Sequence, residues 1–209
     1  MPRPIASPHP PLWRLLPFVL LFLALPVMLA PRGVAEDEPP SESGYTQKQI
    51  EQAFLSMQQG ADDRAVEQAT RLLEEAGKDA FPVLLKHLSS KLAASARHFK
   101  SELWEIDPQT HLLKGRRPVT MGDVAFQFIQ NAIEEDFPKQ FKIFQVLTRE
   151  NVAAWLETNK FLSLPEMRAQ AALEALEKAE AQHRLEPTEH TAAAVRYMRG
   201  LASRYSQAH

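Results

Sequence analysis

The 209-residue chain carries 24 Lys+Arg and 26 Asp+Glu, a formal net charge of −2, and no cysteine. That balance argues against nucleic acid as a partner, because phosphate binding needs a basic face. With no thiol there is no disulfide, thiolate zinc site, iron–sulfur cluster or cysteine nucleophile.

The first 40 residues hold ten of the 16 prolines and no acid before Glu36. Arg3 and Arg14 precede a charge-free apolar run, Leu15 to Ala30, followed by Gly33, Val34 and Ala35 and an abrupt acidic start. A basic, an apolar and a small-residue region in that order read as a secretory signal, with cleavage expected after Ala35. The rival is an uncleaved anchor. A spanning helix wants about 20 apolar residues, whereas this run has 16 with Pro17 and Pro26 inside it. The expected organisation is a signal peptide at 1–35, a disordered acidic lead-in at 36–45 and a helical domain at 46–207. The product is then exported, periplasmic or extracellular, with 21 basic against 26 acidic residues and a net charge of −5. Membrane contact is expected only through the N-terminal segment if cleavage fails.

From Thr46 apolar residues recur mostly at helical spacing. The first helix is predicted at about 46–59, with Thr46 as N-cap, Ile50, Phe54 and Met57 inward and Gly60 as stop. A second begins at Asp62 or Asp63 and buries Val66, Ala69, Leu72 and Leu73 before Gly77. Asp79 is expected to cap a third, in which Pro82 sits in the first turn, where backbone donors lack helical partners. Helical spacing continues through Leu92 and Ala96 to about residue 98. A small hairpin around Asp107-Pro108, closed by Gly115, follows. Thr120 opens a helix to about 135, and Pro138 starts a short one through Leu147. Thr148 begins another carrying Val152, Trp155 and Leu156. Ser163 and Glu166 form a capping box for a long Ala-rich helix to about 183. Thr188 starts the last, with Val195, Met198, Leu201 and Tyr205 on one face. The predicted fold is all-α, an irregular bundle or a short solenoid of stacked helical hairpins, with one small β-hairpin near 100–115.

The stretch GKDAFPVLLKHLSS, Gly77 to Ser90, resembles the inner helix of a HEAT-type repeat, and VEQATRLLEEAG before it fits the outer partner. TMGDVAFQFIQNAIE, NVAAWLETNK and SLPEMRAQAALEAL resemble segments of bacterial secreted proteins that carry such a HEAT-like unit. The resemblance implies stacked helix pairs that bind other proteins along an inner surface. No second copy is clean at a period of about 40.

Six histidines lie beyond residue 35, and none forms His-x-x-x-His or His-Glu-x-x-His, the spacing that puts two ligands on one helix face. Glu180 and His183 make a single Glu-x-x-His, where a di-iron bundle needs two. No metal and no cofactor are expected. There is no Gly-x-Ser-x-Gly elbow and no Gly-rich phosphate loop. Glu102, Glu105 and Asp107 surround Trp104, a composition that glycoside chemistry could use. On a strand Glu102 and Glu105 would face opposite sides, and a charged hairpin edge explains them as well. Lys114, Arg116 and Arg117 precede the helix at Thr120. They are either part of an anion site at a helix N-terminus or a surface turn whose charges pair with local acids.

These features point to an exported non-enzymatic module that binds a protein or peptide. Lys86, His87, Lys114, Arg116 and Arg117 are the candidate contacts at the rim of a groove lined by the third helix and the helix from Thr120. The alternatives are a cell-envelope hydrolase using the carboxylates near Trp104, and a structural subunit of an envelope complex.

Overall fold

The computed structural model describes residues 41–95, 102–106 and 113–207. The expected signal peptide, its cleavage site and the start of the acidic lead-in lie outside the described residues. No described helix is long and apolar enough to cross a membrane.

Three reciprocal capping boxes fix where helices begin. Thr46 and Gln49 open α1 (Gln47–Leu55), Thr120 and Asp123 open α4 (Met121–Glu134), and Ser163 and Glu166 open α6 (Leu164–Leu185). In each, the cap hydroxyl and the third residue's side chain satisfy each other's free backbone N–H groups. Helix α2 (Asp63–Ala76) ends at Gly77, whose φ of +53° suits glycine. Ile50, Phe54, Met57, Val66, Ala69 and Leu73 are buried as the helical period requires, while Leu72 is only partly so.

Asp79 does not cap the third helix. A 3-10 turn, Gly77–Ala80, runs directly into α3 (Phe81–His87), so that helix has no free start to cap. The Asp79 carboxylate instead accepts the Ser43 N–H at 2.8 Å.

The expected continuation of helix beyond Ser90 is also corrected. Residues 91–95 form no helix but a bend and two isolated β-bridges, because their backbone groups are taken by two other segments. Gln59 N–H donates to the Ala93 carbonyl and Ser95 N–H to that of Met57, both at 2.9 Å. On the other side Ala94 N–H donates to the Val119 carbonyl, and Met121 N–H to that of Leu92. A hairpin follows, as expected: β1 (Glu102–Ile106) pairs antiparallel with β2 (Leu113–Pro118). Register slips between Glu105 and Ile106, which leaves Lys114 as the extra residue of a bulge. Gly115 beside it has φ +151°, a conformation side chains rarely adopt.

Helix α4 buries Val124, Ala125, Ile129 and Ile133. The segment after Pro138 is a 3-10 turn, Lys139–Phe144, with three residues per turn. Phe141 and Phe144 therefore share the inward side, whereas Ile143 is 71% exposed. A Thr148–Asn151 turn, closed by reciprocal side-chain bonds, leads into α5 (Val152–Thr158). Helix α7 (Glu189–Gln207) folds back along α6, with Arg199 pairing to Glu180 and Thr191 touching His183. Small side chains make that approach close: Ala171, Ala172, Ala175 and Ala179 of α6 and Ala194 of α7 have no exposed surface. Helix α1 packs on α2, α3 on α4, and α4 on α6, around one hydrophobic core. The described architecture is all-α with one small β-hairpin.

Candidate functional site

The basic residues singled out in the sequence come to different ends. Arg117 leaves β2 toward α4 and grips Asp123 with both guanidinium nitrogens, at 2.5 and 2.7 Å. Arg149, from the turn before α5, reaches the same carboxylate at 2.6 Å and also donates to the Leu88 carbonyl at the end of α3. The Thr120 N–H and hydroxyl complete the set at 2.8 Å each. Burial alone would raise the Asp123 pKa, but Arg117 and the two Thr120 donors outweigh it and hold the carboxyl at about 2. This is a closed, mutually satisfied ion cluster that ties the hairpin, α3, α4 and the turn before α5 together.

Gly122 makes the cluster geometrically feasible. A Cβ there would overlap the Arg149 guanidinium and the carbonyl oxygens of Leu88 and Ser90. Its backbone N–H donates to the Ser90 carbonyl at 3.2 Å.

Arg116 is exposed on β2, opposite Trp104 in register. Lys86 is exposed in the last turn of α3. The His87 ring packs on Phe54 with centroids 5.0 Å apart, and its Nε2 lies 3.6 Å from Glu51. Lys114 occupies the bulge. Helices α3 and α4 pack on each other with Val83, Leu84, Val124 and Ala125 buried, so the line between them is filled. Glu102 and Glu105 lie on β1, but their side chains, like Asp107, fall outside the described residues. Glu180 and His183 are engaged by Arg199 and Thr191. Among the described residues no three His, Asp or Glu gather as metal ligands would.

An open depression of about 270 Å³ lies between α5 and α6, lined by Asn151, Trp155, Thr158, Asn159, Gln170 and Glu174 among others. Its geometry follows from helical spacing. Asn151, Trp155 and Asn159 recur every four residues, as do Gln170 and Glu174, so each set faces one way. The Trp155 indole N–H points between the two carboxylate oxygens of Glu174, at 3.1 and 3.2 Å. Gln170 donates to the same carboxylate at 2.9 Å, and Asn159 donates to the Trp155 carbonyl at 2.9 Å. These residues were not among the sequence candidates. The two spacings just named are the signal that would have found them, but such pairs are common on helix surfaces and acquire meaning only when two helices bring them together.

A second buried acid lies deeper. Glu134, 4% exposed at the end of α4, accepts the N–H groups of Val146 and Leu147 at 2.6 and 3.0 Å. Among the described residues its other oxygen has no hydrogen-bond partner. Burial pushes its pKa up, against the pull of those two bonds, Gln130 and the charge of Lys178.

No family model, curated protein or solved structure matches the chain.

Proposed function

We propose that the chain is an exported, non-enzymatic helical module that binds a protein or peptide partner. The observation that carries this reading is the open depression between α5 and α6. It is lined by amides, a half-buried carboxylate and the buried Trp155 ring, and Phe161, two residues after Asn159, is 88% exposed. Aromatic groups beside polar ones are the composition of protein interfaces. The HEAT-like character of Gly77–Ser90 supports a binding role, and the charge-free run Leu15–Ala30 supports export. Lys86 and Arg116, both exposed, remain candidate contacts. A subunit role in an envelope complex would use the same surfaces.

Crosslinking and co-purification of the tagged full-length chain from cell envelopes tests the reading. A stoichiometric partner is expected with the wild type and is expected to be lost in Thr158→Arg, which fills the depression from an exposed position. Equal recovery from both forms would overturn the role of this face.

A further inference from the structure

The carboxylate in this depression differs from several others on the surface. Glu157, Glu135, Glu180 and Glu189 each hold a lysine or arginine at 2.5–2.8 Å. Glu174 holds none among the described residues. It is half-buried and fixed in place by the Trp155 indole N–H and by Gln170. Asn159 and Gln170 line the same depression; among the described residues their amide oxygens accept no hydrogen bond, while their amide nitrogens are already donating. The Asn151 amide is spent on Val146 and Thr148, and the Thr158 hydroxyl donates to the Ala154 carbonyl. One fixed negative charge with two spare acceptors is a site complementary to a donor-rich cation.

The shape of the contact narrows which cation. A guanidinium binds a carboxylate best as a fork, with one N–H on each oxygen. At Glu174 that edge is occupied, because the Trp155 N–H sits almost evenly between the two oxygens. An ammonium is a compact charge with three donors and needs only one free lone pair on each acceptor. We infer that the depression formed by Glu174, Asn159, Gln170 and Trp155 is a receptor for a lysine side chain of the partner. The inference rests on the reading of this face as a partner site.

The test is NMR of the full-length chain, using the Trp155 indole N–H as reporter, assigned through Trp155→Phe. The probes are capped Gly-Lys-Gly, the same peptide with Nε-acetyl-lysine, and capped Gly-Arg-Gly. The lysine peptide is expected to shift the resonance saturably, the arginine peptide at least tenfold more weakly, and the acetylated peptide not at all. Glu174→Gln keeps an acceptor for the indole and removes the charge, so it should abolish the response while leaving the helical circular dichroism unchanged. Equal response to the lysine and acetyl-lysine peptides, or an unaltered response in Glu174→Gln, would overturn the inference. The two proposals fail separately. A partner captured equally by wild type and Glu174→Gln, with no lysine response, leaves a binding module without this receptor. A lysine response without any captured partner removes the partner reading instead.

Discussion

Gly122 and Gly200 are both helical glycines, and the structure assigns them opposite behaviour. Gly122 lies under Arg149 and two backbone carbonyls, so Gly122→Ala forces overlap with groups that cannot all move. It should lower stability by about 3 kcal/mol or more. Gly200 has nothing within reach of a Cβ, so Gly200→Ala should raise stability by roughly 0.5–1 kcal/mol through helix propensity. Urea unfolding of the two variants checks both signs. The buried carboxyls also act oppositely with pH. Asp123 has a folded pKa of about 2, below its ordinary value, so its stabilising contribution is complete above about pH 4 and is lost as pH falls through 2. That contribution is on the order of 2 kcal/mol. Glu134 is raised, so its contribution is complete below its ordinary value and is lost as pH rises through the folded one. Asp123→Asn should therefore cost most near neutrality and progressively less below pH 4, while Glu134→Gln should gain relative to wild type as pH rises from 4 to 7. Unfolding curves across pH 2–7 test this, and differences that stay constant with pH would refute it.

Elements whose ends carry their own chemistry were legible in the sequence. Thr46, Thr120 and Ser163 open helices because a hydroxyl and a partner three residues on satisfy local donors, and that depends on nothing distant. The stretch that misled is Leu92 to Ser95. Its helical spacing was real, but its backbone groups are claimed by residues 57–59 and 119–121, which only the assembled fold brings near. Arg117 shows the same limit from the other side. Its pairing with a local acid was among the expectations, but the second cation on Asp123 comes from residue 149, beyond any local pattern. The α5–α6 depression was invisible for that reason as well. Helix α6 gives a prediction of its own. Ala175 is fully buried where α6 meets its neighbours, so Ala175→Leu should cost about 1–3 kcal/mol by overpacking, measured as a lowered denaturation midpoint with unchanged slope.

At the scale of the whole molecule, the N-terminal three helices and the C-terminal hairpin of α6 and α7 are joined through α4. The proposed export sets where the proposed partner is to be sought. Intact-mass measurement of the chain recovered from envelope or medium should give a product beginning at Glu36; a product retaining residues 1–35 would refute cleavage. The Asp123 cluster has a further consequence, for the order of folding. Its links span 26 residues to Arg149 and, through Arg149, 61 residues back to Leu88. The α6–α7 hairpin closes over a connection of only three residues. Local contacts form first and long loops close late. Removing Arg149 should then leave the folding rate nearly unchanged and accelerate unfolding, while Ala175→Gly should slow folding itself. The clamp acts as a latch on the finished molecule: it governs how long the native state lasts rather than how quickly it is reached.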